Sequence, residues 1–583
     1  MENILIKRFR PDTLLTLASI ICMVLLIHDL VILRNTHPSG YVIDIYTMFP
    51  SYFFISLILC FFIGSLLIIA NKKYVGIFIL FIIQLEVLLI PYMLGYFSMG
   101  RADNMSYIGE YISIVISGKI SGWDIYPASH IIGAALSLTS GLSANLISLV
   151  LPVIFSLLFT TGLYLFSSHV FRDRIISLIA VPVSFILYLG PYNFLNTPQG
   201  LFFALMPLFL YSLIKYYRAY GVAMQAVVVL FILLIPYTHP FIVFFAMCFL
   251  VVQVLLSYRY DFLNIGKTKI IYPCILLVGF FIWFISQSML MASFKARYLS
   301  YIQATAEPVF YQTTGKLQEI SMSLPEFIKF ISLYYGRYFI PCIFIGISIL
   351  YVFIKRDKIN KSIQKKYEYL FILFISFLAI EAILFFNPII THQPDRMTNL
   401  NFIVYAQVPL FSCALYLLFL KNNPSIKALL ASGLIITFIW GLSLYGCFDS
   451  PYIYQPNNAL TYNEVTSMKW FYNVYDGNTI GTILSQFNRF RELFQQGDIQ
   501  DPTSNLPDHF GYSNSNASFS QNNLAPMENM DIILTTFDEL SYQQVPGYSS
   551  IGRFNADDFR RLENDSSVNK IYAGLNIEIY QAG

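Results

Sequence analysis

Residues 98–142 read SMGRADNMSYIGEYISIVISGKISGWDIYPASHIIGAALSLTSGL, the only long polar segment in the first half of a very apolar chain. From Asp103 onward, Asp103, Ser106, Glu110, Ser113 and Ser117 recur at spacings of three and four, which puts all five on one helix face. Ile108, Ile112 and Val115 line the opposite face. The spacing predicts a helix lying flat at a membrane surface, its polar stripe turned to water or to an internal cavity. The segment His130–Leu142 is apolar but too short to cross a bilayer, and it runs into a Ser-Gly-Leu-Ser turn. It predicts a second helix lying at, or dipping into, the outer interface.

The rest of the chain sets that stretch in a membrane. Of 583 residues, 56% are hydrophobic and 12% charged, against about 25% charged in soluble domains. Apolar runs at 12–33, 51–70, 75–95, 144–166, 175–191, 200–217, 222–237, 240–257, 270–290, 333–354, 368–387, 400–420 and 427–446 predict about 13 spans. The first follows Lys7, Arg8 and Arg10 and has no small-residue cleavage site after it, so it reads as a span and not a removed signal peptide. The net charge of +3 argues against a nucleic-acid partner. The seven cysteines lie in or beside apolar runs without zinc-type spacing and read as small core or lipid-facing residues.

Basic residues assign the sides. Lys72 and Lys73, Arg172 and Arg174, Lys215 and Arg218, Arg259 with Lys267 and Lys269, KRDKINKSIQKK at 355–366, and Lys421 with Lys427 mark alternate loops. Such loops stay in the cytoplasm, which predicts a cytoplasmic N-terminus. Loops 34–50, 96–143, 192–199, 291–332 and 388–399 then face outward, as does everything after residue 447. Residues 447–583 predict a small α/β domain: a helix at 463–477, strands at 479–485 and 531–537, a helix at 555–565, and a terminal hairpin in KIYAGLNIEIYQ. Residues 498–529, rich in Asn, Ser, Asp and Pro, read as a mobile loop. The fold class is therefore a polytopic α-helical membrane protein, with a membrane domain over 1–446 and an extracytoplasmic α/β domain over 447–583.

Chemistry concentrates at the outer ends of the spans. Asp103 follows Gly100-Arg101-Ala102 directly after a span, where ionisable groups are costly and usually functional. A carboxylate against an apolar wall suits a general base for an incoming hydroxyl. Asp124, between Trp123 and Tyr126, is a second acid or a turn residue before Pro127. Pro236-Tyr237-Thr238-His239-Pro240 makes a turn whose His239 is a ligand, a phosphate donor or a turn residue. Asn193, Asn196, Thr197 and Gln199 cluster in a short outer loop. Arg396, in His392-Gln393-Pro394-Asp395-Arg396, presents a planar guanidinium suited to a phosphate, or pairs with Asp395. Glu381, inside a span, must face protein or a cavity. There is no Walker loop, GxGxxG, HExxH or Ser-His-Asp motif. His130, His239 and His392 all face outward and leave a divalent metal open.

This order of features resembles the GT-C class of membrane glycosyltransferases, relatives of protein mannosyltransferases and oligosaccharyltransferases. The residues that carry the resemblance are Arg101-Ala102-Asp103 after an early span, the helix Tyr107–Ser117, Tyr126-Pro127, His130 and the run Leu136–Leu142. Thr197-Pro198, His239-Pro240, Arg396 before a late span and the tail Thr461–Trp470 continue it. The resemblance implies a polyprenyl-phosphate sugar donor (dolichyl or undecaprenyl) in a cell membrane, with a glycan, lipid or protein acceptor on its outer face. It implies Asp103, with Asp124 as the second candidate, as catalytic acids, and Arg396 as the holder of the donor phosphate. Arg101, Glu110, Tyr126, His130 and His239 complete the expected substrate-binding set. Two features depart from the class: two extra spans precede the acidic loop, and no tight acidic pair such as DxD occurs, so a divalent metal is not implied. A transporter or flippase of lipid-linked sugars, or an envelope-assembly scaffold, is the alternative; no internal repeat of the transporter kind is evident.

Overall fold

The computed structural model describes residues 12–70, 72–219, 221–257, 260, 270–303, 322–386, 400–421, 425–495, 503–512 and 530–582. Among these, nine helices are long and apolar enough to cross a membrane: Leu14–Asn35, Ser51–Ile69, Lys73–Met93, Ala144–Phe171, Pro198–Arg218, Leu324–Ile354, Lys361–Phe386, Asn401–Leu420 and Ile426–Tyr445. The other four expected spans are shorter or broken. Val222–Thr238 and Pro240–Ser257 are short apolar helices that meet at His239. The run 270–290 breaks at an extended Gln287, between helices Ile271–Ser286 and Ser288–Ile302.

The fourth departure shapes the site. The expected span 175–191 forms a helix only over Arg174–Ser184, about 16 Å of rise against a hydrocarbon core of about 30 Å. Pro182 lies in its last turn, and beyond it the chain runs to Thr197 as mostly buried, non-α-helical backbone with one 3-10 turn at Gly190–Asn193. Irregular backbone in apolar surroundings needs partners for its polar groups, and side chains of other helices supply them. Ser443 Oγ accepts from the Leu187 amide at 3.2 Å, and the Tyr338 hydroxyl donates to the Tyr188 carbonyl at 2.6 Å. Asn193 Nδ2 donates to the Gly190 carbonyl at 2.8 Å, while its Oδ1 accepts from Ser156. Gly190 has φ +57°, and a Cβ there would lie 2.4 Å from Arg337 Nη2, so no other residue fits without strain.

The helix that follows starts low. A Cβ on Gly200 would lie 3.3 Å from Phe155, and one on Gly162 would lie 2.9 Å from Pro207. Helices Ala144–Phe171 and Pro198–Ala219 thus run parallel, and Gly200 sits about 16 Å along the former from its start. Asn196, Thr197 and Gln199 are accordingly carried well past the N-terminal end of the helix Ala144–Phe171.

Outside the spans, five strands form one sheet in the order β2-β1-β3-β5-β4. They are β1 (Thr479–Thr482), β2 (Thr503–Asn505), β3 (Met530–Thr535), β4 (Val568–Ala573) and β5 (Ile577–Ala582). β1 pairs parallel with β2 and β3; β5 pairs antiparallel with β3 and β4. The helix Tyr462–Val474 opens with a capping box of Thr461 and Glu464. The sheet shares a core with the outer loop. Met105 and Ile108 pack with Met468, Phe471, Ile480, Ile533 and Ile579, and Tyr41 and Ile43 of the loop 36–50 pack with Phe537 and Val545.

Candidate functional site

The expected helices of the loop form over Asp103–Ser117 and Pro127–Ser140. Over its first two turns, the first does not turn its polar stripe to water. Its residues 104–111 are buried, because the C-terminal sheet covers one side and the second loop helix the other. Ser106 bonds to the Glu492 carboxylate, and Glu110 accepts from the Ser121 amide at 2.8 Å, pinning the chain that leads to the second helix.

Tyr107 and Tyr111, one and two turns after Asp103, face the second helix. Each step is about 6 Å of rise. The His130 ring lies 4.8 Å from the Tyr107 ring and 6.1 Å from the Tyr111 ring. Its Nδ1 is 2.7 Å from Asp124 Oδ2, both side chains closed to solvent. Asp124 Oδ1 also accepts from the Tyr126 amide at 2.8 Å, so the acid shapes the turn and orients the imidazole together. A proton on Nδ1 leaves Nε2 as an acceptor.

The irregular segment below completes a closed circuit. The Tyr111 hydroxyl donates to Asn196 Oδ1 at 2.5 Å; burial pushes the phenol up from its ordinary range and keeps it a donor. Three residues on, Gln199 Nε2 is 3.4 Å from His239 Nε2. The His239 ring stacks on Tyr126 at 4.8 Å and 9°, and Tyr126 returns the circuit to Asp124. Around this ring, His130 Nε2, Asn196 Nδ2, Thr197 Oγ1 and Gln199 Oε1 are buried without a hydrogen-bond partner among the described residues. A buried polar group left unsatisfied costs about 1–3 kcal/mol. Four such groups fall on or beside this one ring.

The two acids stand differently. Asp124 is buried; Asp103, at the N-terminal end of the loop helix, is 37% exposed and accepts from Arg489 Nη2 at 2.8 Å. Arg101, expected to bind substrate, joins the loop to the C-terminal domain. Its Nη1 lies 2.5 Å from Glu464 Oε1, its Nη2 bonds to Glu464 Oε2 and the Ala459 carbonyl, and its face covers Phe537 at 4.3 Å. Burial opposes its charge, and Glu464 outweighs burial, holding the guanidinium above its ordinary range. Glu381 is buried in its helix, Lys361–Phe386. Arg396, Asp395 and His392 lie outside the described residues. Among the described residues, no three His, Cys, Asp or Glu side chains come together as metal ligands.

Two arginines escaped the sequence reading. Arg489 is reached only through the fold, 386 residues after Asp103; RFRELF at 489–494 reads as an ordinary amphipathic turn. Arg337 is fully buried, with Nη1 on the Gly446 carbonyl at 3.0 Å. It meets the negative end of the helix Ile426–Tyr445 and backs Gly190.

No protein-family model matches the chain, and no curated protein does. Among solved structures the chain is similar to the arabinofuranosyltransferase AftD from Mycobacteria, with 12% sequence identity and a TM-score of 0.41 over 93% of this chain. The chain spans 40% of the length of that protein.

Proposed function

We propose that the chain is an inverting glycosyltransferase of hexosyl type. It takes a sugar from a dolichyl or undecaprenyl phosphate in the outer leaflet and places it on a glycan, lipid or protein acceptor at the outer face. The observation that carries this reading is the position of Asp103, at the outer end of a stripe whose lower members line a ring of unsatisfied buried polar groups. The one carboxylate of the ring, Asp124, is engaged by His130. Its mixture of donors, acceptors and the stacked Tyr126–His239 pair suits the hydroxyls and face of a sugar.

The proposed step is a single displacement. The acceptor oxygen attacks the anomeric carbon while Asp103 takes its proton. The bond from that carbon to the phosphate oxygen breaks, and the prenyl phosphate leaves with the electron pair. Arg396 is the proposed cation for the departing phosphate. His130, held by Asp124, and Asn196, Gln199 and His239 orient the sugar; Tyr126 forms one wall. Glu110 acts from behind by fixing the 118–121 turn. The proposed orientation has a cytoplasmic N-terminus and an outward C-terminal domain.

The test is consumption. Purified full-length protein in lipid nanodiscs is given dolichyl- and undecaprenyl-phosphate sugars one at a time, with loss of donor and release of prenyl phosphate followed. One of them is expected to be turned over. Indifference to all of them defeats the reading.

A further inference from the structure

One short helix of the C-terminal domain, Asn488–Phe494, lies directly against the loop helix. The approach is backbone to backbone: a Cβ on Gly109 would come within 2.3 Å of the Glu492 carbonyl oxygen. Gln495 Nε2 donates to the Gly109 carbonyl at 2.6 Å. Only a glycine at 109 permits this contact, so the two helices are fixed in depth as well as in angle.

At that contact, Arg489 donates from Nη2 to Asp103 Oδ1 at 2.8 Å. Its Nη1 donates to Glu492 Oε2 at 2.9 Å and to Ser106 Oγ at 3.2 Å. Glu492 binds the hydroxyl of Ser106, which lies three residues from Asp103 on the loop helix. Burial opposes the Arg489 charge, and Glu492, then Asp103, outweigh it. Glu492 alone, at i+3, would satisfy the guanidinium within its own helix. The second arm of the fork instead reaches across the domain boundary to the acid. A guanidinium gripped by Glu492 and Ser106 has one orientation, and it imposes that orientation on the Asp103 carboxylate.

We infer that Arg489 is a positioning residue of the transferase site, so that the C-terminal domain completes the site and is not an appended module. The inference rests on the reading of Asp103 as the base. Misplacing a reacting group by about 1 Å costs on the order of 10²-fold in rate, and losing the fork frees the carboxylate to rotate.

The experiment uses full-length protein in nanodiscs with the prenyl-phosphate sugar that the parent consumes. Arg489→Met is expected to lower kcat by roughly 10²-fold with little change in KM for the donor. Arg489→Lys, which keeps the charge but loses the fork, is expected to recover part of it. The double variant Asp103→Asn/Arg489→Met is expected to be no slower than Asp103→Asn alone, because both act through one carboxylate. Parent-like kcat in Arg489→Met beside a slow Asp103→Asn overturns this inference and leaves the base assignment standing. Multiplied losses in the double variant do the same, assigning Arg489 a separate structural role. A fast Asp103→Asn defeats the base assignment itself. If Arg489→Met does not fold, the same comparison with Arg489→Lys alone and in the double variant decides.

Discussion

Asp124 Oδ2 and His130 Nδ1 stand 2.7 Å apart with neither side chain open to solvent. Six residues separate them, and the Pro127 that starts the second loop helix lies between them. One carboxylate thereby sets both the helix start and the direction of the imidazole. Asp124→Asn retains an acceptor but loses the charge, exchanging a charge-assisted hydrogen bond for a neutral one. That difference is roughly 1 kcal/mol, so turnover should fall about fivefold, far less than on loss of Asp103. Steady-state rates of the two variants side by side check the ranking. His130→Phe keeps the ring contact with Tyr107 but removes Nε2; it should weaken binding of the sugar-bearing donor and leave sugarless prenyl phosphate bound as before.

Arg101 and Glu464 make a buried pair that ties the loop to the C-terminal domain. Removing one partner of such a pair costs about 3–5 kcal/mol. Arg101→Met should therefore lower the thermal unfolding midpoint in detergent sharply, and Glu464→Gln should do so in part. The folded fraction of either variant should bind donor with the affinity of the parent. Loss of donor binding without loss of stability would return Arg101 to the substrate.

Gly190 combines φ +57° with a backing guanidinium 2.4 Å from where a Cβ would stand. Gly190→Ala should cost about 1–3 kcal/mol from backbone conformation alone, seen as a lower unfolding midpoint. Because Gly190 and Asn193 share a hydrogen bond at the head of the segment that carries Asn196, donor affinity should fall with it. A variant as stable as the parent would show that the segment rearranges freely.

Much of this architecture was legible in the chain, and the reasons it was not elsewhere are physical. Apolar length is a strong signal, so most spans were placed to within a few residues. Alternation in KIYAGLNIEIYQ gave the β4–β5 hairpin. The run 175–191 misled because its composition is apolar throughout; Pro182 ends the helix, and Ser443 and Tyr338, distant in sequence, then satisfy the freed backbone. The polar spacing of Asp103, Ser106 and Glu110 reads as a stripe turned to water or to an internal cavity, and tertiary packing turns those groups onto Arg489, Glu492 and Ser121. Asn196, Thr197, Gln199, His130 and His239 were each visible as outer-end polar residues, but their closure into one ring depends on helices starting at different depths. Arg489 left no trace in the sequence, since its partner lies in another domain.

The basic loops predict the sidedness, with the C-terminal domain outward. In a cysteine-free background, cysteine at the exposed Ser549 of the C-terminal domain should react with an impermeant maleimide on intact cells. Cysteine at the exposed Ser362, in the basic cluster, should react only after permeabilisation. The opposite pattern would put Asp103 on the wrong face for an outer-leaflet donor.

The most direct measurement is the rate of donor consumption in a single turnover, with donor bound to saturation, by parent and Asp103→Asn proteins. Asparagine keeps the shape of the side chain and can still accept from Arg489. A general base contributes about 10²–10⁴ in rate, so the variant should bind donor as the parent does and consume it slower by that order. Equal rates in the two proteins would contradict the assignment of Asp103 as the base and, with it, the mechanism built on this loop.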